Sequence, residues 1–378
     1  MRLHALLLFL MACLCASPGF AQEPADSLSQ DSTFIQAVNQ TSLSKFRKKE
    51  IIKAYLKGKI DDLNNVDTAW ISPNYYNWAF MIQNTNTFEH FTVRGDGSAN
   101  INSLEFAPGP TYRLGAYFGW RWLFLGYTFN VKDIFNGKRH GSTNTEVDLS
   151  LYTSKIGVDL YYRRTGNNFK INNIGGRLPQ DSESFDPTFN GLNIHIKGLN
   201  VYYIFNHRKF SFPAAFSQST EQRRSCGSFK LGFSYSIHKV NFDHTLLPQV
   251  VQENISEAMK FRTVHYSDYN ISFGYSYNWV FKHNYLLGVS LTPALAYTHS
   301  ELEGEQTSFI GGLQFHNLNI DVIARVGLVY NNTKYFAGLS FITHSFNYKK
   351  DQFSITNSFA SLNFYVGLNF LRKKEYRN

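Results

Sequence analysis

The chain has 378 residues, a formal charge of +9 and an aromatic content of 16%, with 23 tyrosines and 34 phenylalanines. This aromatic content exceeds what the core of a soluble domain of this size requires. No stretch after Ala21 approaches the about 20 consecutive apolar residues of a transmembrane helix, which excludes a helical membrane protein.

The N-terminus has the pattern of an export signal. Arg2 precedes an apolar run from Leu6 to Leu14, and small residues stand at Gly19 and Ala21. The pattern predicts a signal peptide over residues 1–21, with cleavage after Ala21. The alternative is a lipoprotein signal in which Cys13 is the modified cysteine.

After this leader the chain keeps one cysteine, Cys226, so an intramolecular disulfide and a Cys-based metal site are both excluded. A polar segment over residues 22–71 follows, and we expect it to be periplasmic. Its basic stretch Ser44–Lys59 predicts a short helix. This helix belongs to a solvated linker in one interpretation. In the other it plugs the barrel or contacts lipid headgroups.

The rest of the chain alternates apolar and polar residues, as β-strands with two different faces do. Between Ser228 and His238, one face consists of large apolar residues: Phe229, Leu231, Phe233, Tyr235 and Ile237. The same pattern recurs over Leu318–Asn331 and over Ser361–Phe370. Two fold classes make such strands, a β-sandwich and a membrane β-barrel.

The polar faces favour the barrel. They consist mostly of Gly, Ser, Asn and Tyr, and charged residues make up only 17% of the chain, whereas the outer face of a sandwich is rich in charge. We therefore predict an all-β fold, a transmembrane antiparallel barrel of 12 to 14 strands over residues 72–371. The last strand ends at Phe370, the expected assembly signal, and a basic periplasmic tail follows over residues 372–378.

Three two-residue turns are predicted from the alternation. They lie at residues 153–154, 207–208 and 332–333, and they place Tyr152 opposite Lys155, Asn206 opposite Lys209, and Asn331 opposite Lys334. In each hairpin the apolar residues of both strands then share one face.

The stretch FPAAFSQSTEQRRSCGS, residues 212–228, interrupts this alternation. Pro213 cannot donate to a sheet ladder and is expected to break the strand. The stretch is either an ordinary hairpin or an inward excursion that narrows the lumen. The excursion places all long connections at the outer end of the barrel, as outer-membrane barrels usually do.

Successive residues of a strand point to opposite faces, so the odd or even position of a residue (its parity) assigns it to the lipid or the lumen face. By this criterion several charged side chains face the lumen. The candidates for the lumen or its constriction are Asp159, Arg163, Lys230, Asp321 and Arg325, together with the pair Arg223 and Arg224. Two interpretations remain open. The charges form a self-neutralising network, or their positive excess attracts an anion to a constriction.

Several strings resemble an uncharacterised family of bacterial outer-membrane barrel proteins, a domain of unknown function. The strings are YFGWRWLFLGYTF, YYRRTGNNFKI and FSFPAAFSQSTEQRRSCGS, and the resemblance extends from about Asn74 to Phe370. It implies an exported barrel in the outer membrane without an assigned activity or catalytic residues.

For function we expect a channel or transporter for small polar or anionic solutes, with a lumen narrowed by residues 212–228. The alternatives are a non-conducting binding or structural barrel of the envelope and a lipid-modifying enzyme. No catalytic motif supports the enzyme. The expected partners are outer-membrane lipid and lipopolysaccharide, the barrel-assembly machinery and a small anionic solute, with no cofactor, metal or nucleic acid.

Overall fold

The protein is an all-β chain that forms a closed antiparallel barrel of twelve strands, as predicted. The computed structural model describes residues 34, 36, 38, 40, 45–63, 65–97, 99–109, 111–120, 123–130, 145–166, 169–177, 186–301, 318–350 and 353–377. The predicted signal peptide over residues 1–21 lies outside the described residues.

Twelve strands form the ring, and each is antiparallel to its neighbours. Their bounds are β2 (Tyr76–Arg94), β4 (Thr111–Trp120), β5 (Leu123–Asn130), β6 (Thr145–Tyr152), β7 (Ile156–Gly166), β10 (Leu192–Ile204), β12 (Cys226–Phe242), β13 (Thr263–Lys282), β14 (Tyr285–Glu301), β15 (Leu318–Asn331), β16 (Tyr335–Lys350) and β17 (Phe353–Arg372).

The ring closes where β17 pairs with β2 over most of the length of both strands. Tyr76 stands opposite Arg372 at one end of this seam, and Arg94 stands opposite Ser354 at the other. We call the first the near end of the barrel and the second its far end. Because the number of strands is even, the first strand starts at the near end and the last strand finishes there.

The outer face of the ring is apolar. Phe229, Leu231 and Phe233 are 51%, 43% and 47% exposed, whereas the alternating residues Ser228 and Lys230 are buried. Near the near end, aromatic rings of neighbouring strands touch, as Trp78 and Trp120 do with centroids 6.4 Å apart. An apolar outer band with an aromatic rim is typical of a barrel that crosses a lipid bilayer.

Five strands lie outside the ring. At the far end β3 (Ile101–Pro108) pairs with the end of β2, and β8 (Phe169–Gly176) and β9 (Thr188–Phe189) continue that sheet. At the near end β1 (Ile71–Ser72) pairs with β11 (Glu221–Gln222).

The far end encloses an apolar cluster of 23 buried residues, which we call the far core. Barrel strands contribute inward-facing residues such as Val93, Val264 and Phe346. Residues of β3, β8, β9 and the connection 243–262 complete it, among them Phe106 and Met259. These buried apolar side chains exclude water from the space that they fill at this end of the barrel.

The predicted turns have the right faces and, in two cases, the wrong register. Tyr152 stands opposite Gly157, and Asn331 opposite Phe336. Each pairing is two residues from the prediction, so each side chain keeps its face. The third hairpin is wrong. The chain does turn at residues 205–209, where Phe210 N donates to Asn206 O over 2.8 Å, but a helix over Phe212–Phe216 follows instead of a paired strand.

The described helices are few and short. In the N-terminal unit, α1 (Lys45–Leu63) is the helix predicted from the basic stretch. In the barrel unit, α2 (Phe212–Phe216) precedes β11, and α3 (Gln249–Gln252) lies in the connection between β12 and β13. None of the helices in the described part of the chain is long and apolar enough to cross a membrane.

Candidate functional site: the barrel interior

The stretch 212–228 adds no strand crossing to the ring. Instead α2 and the residues after it enter the near end of the lumen before β12 begins at Cys226. The structure therefore agrees with the inward excursion and not with the hairpin. We call Ser211–Gln222 the near plug.

Pro213 stands in the first turn of α2, where its missing N–H is not needed. Ser211 caps this helix, since its Oγ accepts a hydrogen bond from Ala214 N over 3.2 Å. The strand before it has already ended at Ile204. Pro213 was expected to break a strand, but it lies in the first turn of a helix, nine residues after that strand has ended.

The near plug packs against opposite walls of the lumen. On one side the Phe212 ring lies 5.2 Å from the Tyr202 ring and 6.0 Å from the Tyr152 ring. On the other side Ala215 lies over two glycines of the wall, Gly288 and Gly327. A methyl group at Gly288 would come within 2.4 Å of the Ala215 Cβ, so this close approach requires glycine.

Polar groups hold the end of the plug. Gln218 Nε2 donates to Tyr365 Oη over 2.8 Å, and Asn331 Nδ2 donates to Gln218 O over 3.2 Å. Gln222 donates to three carbonyls, including Lys209 O at 2.7 Å. Several backbone carbonyls in and beside the near plug thus accept hydrogen bonds from side-chain amides instead of from a barrel-strand ladder.

Arg223 and Arg224 follow β11 and lie at the near opening, where both are exposed. Arg223 donates to Thr68 O over 2.9 Å and to Ser72 Oγ over 3.1 Å, and the Arg224 guanidinium lies 5.7 Å from the centre of the Trp70 ring. The pairing of β11 with β1 directs both arginines toward the residues that precede the barrel.

An ion pair crosses the lumen above the near plug. Arg325 Nη2 lies 3.3 Å from Asp159 Oδ2, and both side chains are largely buried. Asp159 is on β7 and Arg325 is on β15, five strands apart in the ring of twelve. Ser150 and Tyr152 also donate to Asp159, over 2.9 and 2.7 Å.

Lys230 lies close to this pair. Its Nζ donates to Ser290 Oγ over 2.8 Å and sits 4.6 Å from the centre of the Phe212 ring. The Arg325 guanidinium is 5.5 Å from the same ring. Phe212 of the near plug is therefore the floor of the charged layer, and it stabilises both cations through its π face.

A second charged cluster involves Glu146, which accepts from two arginines. Arg163 Nη2 lies 2.9 Å from Glu146 Oε1, and Arg113 Nη1 contacts Glu146 Oε2. The Arg163 guanidinium also lies 3.8 Å from the centre of the Phe359 ring, which belongs to the far core. The far core is thus the roof of the charged layer.

A cavity of about 240 Å³ lies between floor and roof. Both charged clusters line it, through Arg113, Glu146, Asp159, Arg163 and Arg325. Each carboxylate in these clusters has a cationic partner, but three arginines face two carboxylates. The cavity wall is therefore polar and keeps an excess of positive charge.

Asp321, the remaining lumen candidate, has neutral donors. Asn270 Nδ2 donates to Asp321 Oδ2 and the backbone N of Asn347 donates to Oδ1, each over 3.1 Å. The structure therefore groups Asp159, Lys230 and Arg325, joins Arg163 to a second cluster, and separates Asp321 from both.

A serine, a histidine and an aspartate also meet inside the barrel. His238 Nε2 lies 2.9 Å from Ser236 Oγ and 3.3 Å from Asp268 Oδ2. Both partners contact the same ring nitrogen, whereas a catalytic triad uses the two nitrogens separately. The group is fully buried, and His238 stacks on Tyr266 with ring centroids 4.5 Å apart.

Arg113 and Glu146 are not among the lumen residues predicted from the sequence. Parity was available as a signal, because Arg113 alternates with Tyr112 and Leu114, which are exposed on the outer face. Parity shows that such residues face inward but not which strand across the lumen supplies the partner.

The barrel region of the chain matches a described protein family. A family model with the description "Domain of unknown function (DUF4421)" matches residues 65–370. The chain belongs to this family. The match covers the barrel except for the last two residues of β17, and no curated protein is significantly similar to the chain.

Solved structures with a similar course of the chain are outer-membrane barrels. The outer membrane protease OmpT from Escherichia coli is 9% identical, with 78% of this chain and 97% of that chain covered and a TM-score of 0.34. The P. putida toluene transporter TodX is 8% identical over 79% and 91%, with a TM-score of 0.26.

The translocator domain of the autotransporter NalP from Neisseria meningitidis is 9% identical over 90% of this chain and 98% of its own, with a TM-score of 0.31. Similarity this distant carries no functional role over to this chain. The assignment of the fold rests on the strand pairing itself.

Proposed function

We propose that the protein is an outer-membrane barrel that does not conduct at rest and acts as a binding or structural protein of the envelope. The observation that carries this proposal is the double closure of the lumen, by the near plug and by the far core, with the Asp159–Arg325 ion pair between them. Its apolar outer face supports the location in a bilayer.

The near end is assigned to the periplasm in this proposal. Both ends of the ring lie there, and the connections at that end between ring neighbours such as β6 and β7 are short. Outer-membrane barrels usually have short periplasmic turns and long external connections. The far core then lies on the external side.

Passive flow through the lumen is disfavoured because three obstacles lie in series. A channel needs a continuous hydrated path with sites that ions can enter and leave. Here the far core has more than twenty apolar members, and opening it would expose them to water at about 25 cal/mol per Å².

Conductance of the purified protein in planar bilayers tests the proposal. We expect no steady current from the wild type in 1 M KCl. We expect the same for a variant in which an Asn-Gly turn replaces residues 207–227, because the far core remains. A stable open level in the wild type would contradict the non-conducting barrel.

A gated path for small polar or anionic solutes is the second candidate, and the polar cavity of about 240 Å³ favours it. In that case the near plug is a gate, and its replacement should produce steady current where the wild type has none. The same two recordings therefore separate the candidates.

A further inference from the structure

A row of basic residues crosses four neighbouring strands toward the far end of the barrel. Arg164 on β7 stands opposite His195 on β10, His195 stands opposite Lys239 on β12, and Lys239 stands opposite His265 on β13. We call these four residues the basic row. Lys197 lies on β10 two positions from His195, on the same face.

The basic row lies on the outer face, where a lipid or solvent molecule can reach it. Arg164, Lys197 and Lys239 are exposed, whereas Arg163, Ile196 and His238 beside them turn inward. His195 stands within electrostatic reach of all three cations. None of the ion pairs among the described residues involves Arg164, Lys197 or Lys239.

Arg164 and Lys239 flank His195 from the two neighbouring strands, and Lys197 lies two positions along β10. Three like charges are therefore concentrated around one imidazole, and their mutual repulsion is unfavourable. A carboxylate in the row would remove this cost. Among the described strands, the next acidic position along the row is Glu301 on β14, which stands opposite His265 and four strands from β7. A cluster of cations without nearby carboxylates is stabilised when it binds an anion, and clusters of arginine and lysine commonly bind phosphate.

The surface next to the row, toward the near end, is apolar and concave. A groove of about 360 Å³ begins beside Lys197 and is lined by Val147, Leu149, Leu160, Leu199 and Tyr235. Tyr235 and Tyr269 are in contact, with ring centroids 4.9 Å apart, which is typical of the aromatic rim of a bilayer. Basic groups above the rim and an apolar groove below it match a molecule with an anionic head and acyl chains.

We propose that the basic row and this groove bind a phosphorylated glycolipid of the outer leaflet. Arg164, Lys197 and Lys239 contact its phosphate, and the groove takes an acyl chain. A lipid fits better than free phosphate because the groove adjoins the cations and offers apolar area that only an acyl chain would bury. The side of the membrane rests on the proposed orientation, but binding itself does not.

The experiment compares two matched double variants of the purified full chain in nonionic detergent. Arg164→Gln/Lys239→Gln removes two charges of the basic row. Arg94→Gln/Lys349→Gln removes one arginine and one lysine, both exposed, from far-end positions on the strands β2 and β16. The probes are bis-phosphorylated lipid A, the same lipid after dephosphorylation, and inorganic phosphate, with bound lipid counted by native mass spectrometry.

We expect wild type and control to bind the phosphorylated lipid with the same Kd. The row variant should bind it about a hundredfold more weakly, since each of its two lost charged hydrogen bonds weakens binding about tenfold. Dephosphorylation should reduce binding to the wild type and not to the row variant. If the row variant misfolds, Lys197→Gln provides the same comparison with a smaller effect.

Equal affinity of wild type and row variant, or loss of affinity in the control as well, would overturn the proposal. Inorganic phosphate that competes fully at equal concentration would overturn the assignment to a lipid. Fractionation of cells tests the membrane location separately, so a soluble protein would refute the proposed function without affecting the binding result.

Discussion

Inside the barrel, single charged residues connect strands that are far apart in the ring. Asp159 and Arg325 are buried, and moving such charges out of water costs several kcal/mol for each ion before they attract one another. The cost is offset here because Asp159 accepts from Ser150 and Tyr152 in addition to Arg325. The pair thereby fixes the distance between β7 and β15.

Removal of one partner should destabilise the protein more than removal of both. Asp159→Asn leaves the Arg325 charge buried with no carboxylate beside it, and we expect a loss of about 3 to 5 kcal/mol in the free energy of unfolding. The double variant Asp159→Asn/Arg325→Met should recover part of this loss. Urea unfolding in lipid vesicles measures both, and an Asp159→Asn protein as stable as the wild type would show that the pair contributes nothing.

At the scale of elements, the near plug depends on small residues in the wall. Ala215 of α2 can approach β14 and β15 only because Gly288 and Gly327 have no side chain. Phe212 on the other side of α2 packs with Tyr152 and Tyr202. A short helix that would not be stable alone is therefore held by its packing.

An added methyl group should loosen the plug. In Gly288→Ala the new Cβ would meet Ala215 Cβ at 2.4 Å, so α2 must shift, at a cost of about 1 to 3 kcal/mol. Cys226 packs against the Phe212 cluster and serves as a reporter. We expect its alkylation rate to rise.

Gly232→Ala is the matched control for this change. It adds the same methyl group to the inner face of β12, where the nearest atom is the Oγ of Ser272 at 2.5 Å, which can rotate away. Its Cys226 should react at the wild-type rate. A similar rise in both variants would mean that the barrel wall, rather than the plug, has been disturbed.

For the whole molecule, closure of the ring requires that the last strand find the first. The β17–β2 seam joins residues nearly 300 positions apart in sequence, with Phe370 opposite Trp78 close to the near end. Such long-range pairing forms slowly and exposes strand edges until it is complete. We therefore expect the efficiency of assembly in the cell to depend on how the C-terminal end of β17 is recognised before it pairs with β2.

Phe370→Ala should reduce assembly in cells more than it reduces stability. We expect less heat-modifiable protein in the outer-membrane fraction, whereas refolding of the purified chain in detergent is nearly unchanged. Phe364→Ala is the control, because Phe364 is on the same strand and is 49% exposed on its outer face. Equal loss in both variants would indicate a general effect of lost apolar area rather than a signal at Phe370.

The sequence by itself determined the fold class, the strand faces and the location of the excursion. Alternation is a local property with a period of two, so Phe229, Leu231 and Lys230 could be assigned to their faces without knowledge of any partner. The turns at 153–156 and 332–335 kept those faces although their predicted register was off by two, since a shift by an even number leaves parity unchanged.

The tertiary structure alone decided which residues meet. Parity places Asp159 and Arg325 on the lumen face, but their contact depends on the height of each strand and on how the ring closes, which are properties of the whole barrel. The pairing of β11 with β1 set the place of Arg223 and Arg224. The far core was not foreseen, because it combines strand ends with aperiodic connections whose apolar residues become neighbours only when the barrel has formed.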